Sequence, residues 1–547
     1  MALDLSKHTM LIVDDVREMR TSLRAIAKSM GAENVFLAKS GAEAIEILQS
    51  NDVHVVLCDY FLGEGRDGQQ VFEEAKEFAM IEPTTAFVMI TADNTMEVVM
   101  AVVEHQPDGY LVKPLNKSVL ELRLEKILHR KRVFKDIEAT MRAGENVKAA
   151  AICDIMLEQH PKLQFDLLRL KAEALLAAGE HEQVEALCDG VLIEREVPWA
   201  MVCLGRAQYI AGNMDNARST FRRAIEQNDT GMEAYDWLTK IDRENGDPES
   251  AQQTLEQAVK LSPKSIGRQQ VLADLATDNG DFETARKAFQ AAVDLGEHSV
   301  YSRADDEVGL VNAVAETDGP EEALKVLDEL SSPRRGHGAN HESPGWRLDL
   351  SYGQMLLASE QASKAKGSIA KALTGYQEEP RDSADPEAIA LAKACYRIGM
   401  IPEAKDLMNR IVKENHDRED IIAAVRTMFS DLGMEDLGDD LIDSARRAVV
   451  DINNRGVSLA KEGKLEEAIT LLTKASDELP GNLTITLNVL QAVMSQIRFE
   501  GNSSQRQYLI GDYITRAERI NAEHPKLAKL REKILLLQQN SEQRMQA

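Results

Sequence analysis

The stretch TMLIVDD, Thr9 to Asp15, sets an apolar run directly before two adjacent acids. The run reads as a buried strand. The paired carboxylates repel each other and are costly beside a core, so a strand that delivers both at its tip implies a bound cation. Outward from this point the pattern alternates. Glu18 to Met30, Gly41 to Gln49, Gly68 to Phe78 and Thr95 to Glu104 have helical periodicity. Between and after them NVFLAK, HVVLCDY, AFVMITA and GYLVKP read as strands, and a further helix starts near Asn116. Strands separated by helices predict an α/β doubly wound, five-stranded parallel sheet covered on both faces. Such sheets carry their chemistry at the carboxyl ends of the strands. Asp14 and Asp15, Asp59, Thr91 and Lys113 stand at those ends. Three carboxylates in one place suit an oxygen-ligated Mg²⁺. A lysine beside them suits an incoming phosphoryl group, and a carboxylate can itself be the nucleophile.

The motif set VDD, CDYFLG, ITA and LVKP, in this order, resembles the receiver domain of two-component response regulators, a flavodoxin-like fold. The resemblance covers residues 8 to 128, and the Asp15–Asp59 and Thr91–Lys113 separations of 44 and 22 residues are family-like. It implies that Asp59 is the phosphoacceptor. It implies that Asp15, Asp59 and the backbone carbonyl of Phe61 ligate Mg²⁺, with Asp14 assisting through water. Lys113 then contacts the phosphoryl group, Thr91 and Tyr110 are the switch residues, and Lys113–Pro114 is a cis peptide. The donor implied is a sensor histidine kinase or a phosphotransfer protein. One departure stands out: DYFLGEGRDG lacks the proline that usually follows the phosphoacceptor, and Gly68 comes nine residues after Asp59 instead of eight.

Past Lys113 the strands stop and a 34-residue period appears. Gly212, Gly246 and Gly280 share it with Ala217, Ala251 and Ala285, with Phe221, Leu255 and Phe289, and with Ala224, Ala258 and Ala292. A glycine that caps the first helix of a pair, followed by small and large residues that pack the second, resembles the tetratricopeptide repeat. Gly463, Ala468, Leu472, Ala475 and Pro480 fit the same template. The expectation is an all-α superhelix of about ten or eleven repeats, capped by PKLAKLREKILLLQ. The domains expected are a receiver over 1–128 and a protein-binding repeat region over 129–547. The segment SSPRRGHGANHESPG, residues 331 to 345, is expected to be a loop or hinge. Its His337 and His341 have no third ligand nearby, so a solvated loop is the simpler reading. No Pro or Gly interrupts the run from Asn116 to Arg142, so one helix can join the two regions. Its HRKR cluster, His129 to Arg132, is either a solvated face or a contact for an acidic partner.

Repeat stacks form a groove that binds a protein or peptide. Trp199, Val202, Arg206 and Tyr209 either face that groove or, for Trp199, pack on the neighbouring repeat. Asn453 and Asn454 lack the lysines of a carboxylate clamp. The formal charge is −27; up to Leu128 it is −9, from 12 basic and 21 acidic residues, and beyond it −18, from 52 and 70. Both parts are acidic, which argues against nucleic acid or a membrane surface as partner. Cys58, Cys153, Cys188, Cys203 and Cys395 have no metal-site spacing and fit buried thiols in a reducing compartment. With no signal-like start and no apolar run of membrane-spanning length, a cytoplasmic protein is expected. No separate enzymatic motif appears. The function expected is therefore a response regulator whose phosphorylation controls protein binding, through a phosphorylation-dependent homodimer or through docking on the repeats. The alternative is a constitutive scaffold whose receiver is a phosphate sink.

Overall fold

In the computed structural model, which describes residues 3–92, 95, 104, 107–330, 345–378, 386–522 and 524–534, the opening run forms strand β1 (Thr9–Val13). Met10 to Val13 are fully buried. Then come α1 (Arg17–Ser29), β2 (Asn34–Ala38), α2 (Gly41–Ser50), β3 (Val55–Asp59), α3 (Gly68–Glu77), β4 (Ala86–Thr91) and β5 (Gly109–Val112). All pairings are parallel and the strand order is β2-β1-β3-β4-β5. The reason is compositional. Every residue of β3 and β4 is buried, and only a sheet covered on both faces can bury side chains of both parities. One face packs Phe72 of α3 against Phe87 of β4, with ring centroids 4.6 Å apart. The other packs Leu23, Leu120, Leu124 and Ile127 against Ile12, Leu57 and Val88. Of the helix expected from Thr95 to Glu104, only those two residues lie among the described ones.

Helix α4 (Lys117–Arg142) begins at Asn116, whose side chain accepts from the Val119 N–H at 3.0 Å. It is a single helix of 26 residues. Leu120, Leu124, Ile127 and Leu128 belong to the α/β core. Val133, Phe134 and Ile137 belong to a second core with Ala149, Cys153 and Leu167. The boundary expected at 128 thus lies inside an unbroken helix that is shared by two cores.

Helix pairs continue from there. In the pairs Pro198–Ile210 with Met214–Gln227, Met232–Glu244 with Pro248–Leu261, and Ile266–Asp278 with Phe282–Gly296, the capping glycines Gly212, Gly246 and Gly280 have φ of 81, 72 and 75°. The following N–H reaches back to the last turn, as in Asn213 N to Gln208 O at 2.8 Å. This is the left-handed cap that glycine adopts without penalty. Ala217, Ala251 and Ala285 are fully buried, and Phe221 fills the space beside Gly205. All five cysteines are buried.

The chain divides into two compact units, Met1–Ser343 and Pro344–Ala547. The expected hinge, with His337 and His341, lies outside the described residues apart from Gly345. In the second unit, Val449, Leu472, Leu490, Tyr513 and Leu530 share a core. One 27-residue helix, Glu435–Lys461, runs through this unit. The closing helix runs over 525–534, and its expected remainder lies outside the described residues. Among the described residues no helix is long and apolar enough to cross a membrane.

Candidate functional site

The parallel sheet brings the predicted acids together. Asp14 follows β1, Asp59 ends β3 and Asp15 is exposed beside them; one carboxylate oxygen from each lies within 4.8 Å of the others. Asp14 and Asp59 are nearly buried, at 1% and 6% exposure. Lys113 leaves the end of β5, and its Nζ stands 2.6 Å from Asp59 Oδ2 and 2.8 Å from Asp14 Oδ2. Asp14 Oδ1 also accepts the Val16 N–H at 2.9 Å, which orients its carboxylate. Burial raises the Asp59 pKa above the ordinary carboxylate value; the Lys113 hydrogen bond and charge pull it down, and Asp14 and Asp15 add to the rise. Burial also pulls Lys113 down, but its hydrogen bonds to Asp14 and Asp59 outweigh this and leave its pKa raised. The pair is held as an ion pair in a partly desolvated corner. The three carboxylates, with Asp15 on the solvent side, form an acidic cluster whose oxygen donors could hold a hard cation.

Thr91 ends β4 fully buried, and its carbonyl accepts the Lys113 N–H at 2.8 Å. Tyr110 is half-buried on β5 and packs against the core around Phe87 and Met89. Lys113–Pro114 is cis. The departure after Asp59 has a structural account. Gly68 lies so close to Asp59 that a Cβ there would meet the Asp59 carbonyl oxygen at 2.0 Å, and its N–H bonds to Tyr60 O at 2.9 Å. The longer loop is closed on itself by a residue that must be glycine.

Residues 10–125 match the response regulator receiver domain family, and residues 242–304 match the tetratricopeptide repeat family. The N-terminal domain is a response regulator receiver domain. Over 118 residues the chain is 33% identical to the transcriptional regulatory protein ZraR of Escherichia coli K12, a match spanning 22% of this chain and 26% of that protein. Over 139 residues it is 30% identical to the aerobic respiration control protein ArcA of the same strain, spanning 25% and 56%. Among solved structures, a CheY-like receiver domain protein from Methanospirillum hungatei JF-1 shares 22% identity over 24% of this chain and 98% of its own, with a TM-score of 0.21. The receiver is thus joined to tetratricopeptide repeats.

In the repeats, Arg206 and Tyr209 come together but Trp199 does not join them. Trp199 is half-buried and packs into the neighbouring core. Arg206 donates to both Glu173 oxygens at 2.9 Å, and its guanidinium lies 5.9 Å over Trp237. Tyr209 donates to Glu244 at 2.7 Å, and its ring sits 5.2 Å from that of Trp237. Lys240 stands 4.8 Å over both rings. Trp237 is the centre of this cluster and was not singled out by sequence. Its signal was present, since residue 237 lies in the first helix of the next pair.

Proposed function

We propose that this protein is a phosphorelay response regulator that accepts a phosphoryl group on Asp59 and controls protein binding through its repeats. The observation that carries the reading is the Asp59–Lys113–Asp14 ion-paired corner beside Asp15. In this reading a phosphohistidine on a sensor histidine kinase or phosphotransfer protein is the donor. An Asp59 carboxylate oxygen forms a bond to phosphorus and the donor's P–N bond breaks, its electron pair staying on the imidazole. Lys113 neutralises charge on the transferred group. Asp14, Asp15, Asp59 and the Phe61 carbonyl would hold Mg²⁺, which supplies charge neutralisation when bound. Thr91 and Tyr110 then respond to the added charge of the acyl phosphate. The receiver spans 1–128 and the protein-binding region 129–547. Arg206, Tyr209 and Trp237 form the groove cluster, and Trp199 packs in the core instead. The compartment is the cytoplasm, and the acidic charge disfavours nucleic acid and anionic membranes.

The test is incubation with acetyl phosphate and Mg²⁺, followed by mass spectrometric mapping. One phosphoryl group on Asp59 is expected. Equal labelling of Asp59→Asn refutes the assignment.

A further inference from the structure

Helix α3 is buried beyond what its sheet contact requires. Gln69 and Glu73 are only 7% and 5% exposed, although a charged residue on a surface helix normally reaches water. The repeats lie against this side of the receiver, at the C-terminal ends of the helices Pro248–Leu261 and Phe282–Gly296, the segments after them and the start of Ile266–Asp278. Gln70 Nε2 donates to the carbonyls of Glu297 at 2.9 Å and Leu295 at 3.4 Å. The Tyr301 hydroxyl lies 3.5 Å from the Glu77 carboxylate. Arg268, 7% exposed, pairs with Glu104 at 2.6 Å, and the Ser262 hydroxyl donates to the other Glu104 oxygen at 2.6 Å. Lys264 stands 5.3 Å over the ring of Tyr60 and 5.7 Å over that of Phe61, the two residues that follow Asp59.

The two sides are complementary. The receiver contributes Asp67, Glu73, Glu77 and Glu104; the repeats contribute Lys264 and Arg268. Arg268 is also held by Asp236, from 2.7 and 2.9 Å, so its guanidinium is fixed in the repeat before the receiver meets it. Asp236 takes the Nε and Nη2 side of the guanidinium, and Nη1 is the group that meets the Glu104 carboxylate.

We propose that Ser262, Lys264, Arg268 and Tyr301 form a docking surface on the repeats for the acidic flank of the chain's own receiver, and that its occupancy is linked to the chemistry at Asp59. The link is Lys264, which reads the loop directly after the phosphoacceptor, and Glu104, thirteen residues after Thr91. An external partner using this face must displace carboxylates, so it must itself present acidic side chains. The linkage part rests on the phosphoacceptor reading of Asp59; the docking part does not.

The test is hydrogen exchange of the full chain, read in peptides covering 68–77 and 262–301. Glu104→Arg alters only the receiver side and leaves the Arg268–Asp236 pair in place; Lys264→Glu alters only the repeat side. Each is expected to speed exchange on the opposite side by roughly tenfold, the scale of a typical coupling. A local folding defect moves only the mutated side, and that outcome overturns the docking. Beryllofluoride with Mg²⁺ is then added to the wild type and to Asp59→Asn. Faster exchange in both peptides of the wild type alone supports the linkage, and no change in the wild type overturns it. Failure of acetyl phosphate labelling removes the phosphoacceptor reading but leaves the reciprocal mutant effects standing, so the two failures are distinguishable.

Discussion

Glu73→Gln should make α3 clearly more stable at pH 8 and much less so at pH 5. Burial, together with the nearby charges of Asp67 and Glu104, raises the Glu73 carboxyl from 4.5 to about 7; its hydrogen bond from Gln69, at 2.9 Å, lowers it only in part. A carboxyl raised on folding stabilises the fold while it is protonated. That contribution is full below pH 4.5, shrinks as the pH rises towards about 7, and is absent above it. At about 1.4 kcal/mol per pH unit, the ionised form costs roughly 3 kcal/mol relative to the neutral one. Glutamine is neutral at every pH, keeps an acceptor for Gln69, and removes the repulsion with Asp67 and Glu104. A chain of two units will not melt in one two-state step, so the assay is exchange protection of the 68–77 peptide between pH 5 and 8, corrected for the chemical rate. At pH 8 the variant should be protected more by up to about two orders of magnitude. Parallel pH profiles for the two proteins would show that Glu73 is not held neutral by its surroundings.

Further outcomes follow from the same contacts. Asp15→Ala should weaken Mg²⁺ binding in calorimetry while shifting stability by under about 0.5 kcal/mol, because Asp15 is exposed; unchanged Mg²⁺ affinity would remove Asp15 from the metal site. Gly205→Ala would place a Cβ 2.6 Å from Phe221 Cζ and should cost about 1–3 kcal/mol. Gly190→Ala, with nothing within 4 Å of the new Cβ, should gain roughly 0.5–1 kcal/mol; urea unfolding of both variants checks the contrast. A Gly-Ser insertion after Arg130 turns the second half of α4 by about 200° against the first. It should leave Asp59 labelling intact and abolish the exchange protection of 262–301, and retained protection would show that α4 does not set the docking.

The sheet, the acidic corner and the repeat period were legible because each rests on local pattern. A run such as LIVDD tells where a strand ends, and parallel pairing does the rest by placing Asp14, Asp59 and Lys113 on one edge. Gly212 and its equivalents announce a helix cap by needing positive φ. The receiver's cover was not legible, since Gln70 and Glu297 meet across 227 residues and only the curvature of the stacked pairs brings them together. Trp199 was ambiguous for a related reason: helical periodicity gives a residue's face but not which neighbour lies against it. Gly438 and Gly456 sit inside the long helix Glu435–Lys461 and make room for Phe429 and Leu472.

The burial of the five cysteines has a consequence for how this molecule meets oxidants and labels. Burial pushes the thiols of Cys153, Cys188 and Cys395 up to about 11, 12 and 12, and raises those of Cys58 and Cys203 as well. Only the thiolate is reactive, and at neutral pH that form is nearly absent at these positions. Maleimide should therefore pass these five thiols by, whereas an added surface cysteine would be the reactive thiol. Fluorophores or spin labels could then be attached to cysteines introduced on each side of the receiver–repeat contact, and distances followed with all five native cysteines in place.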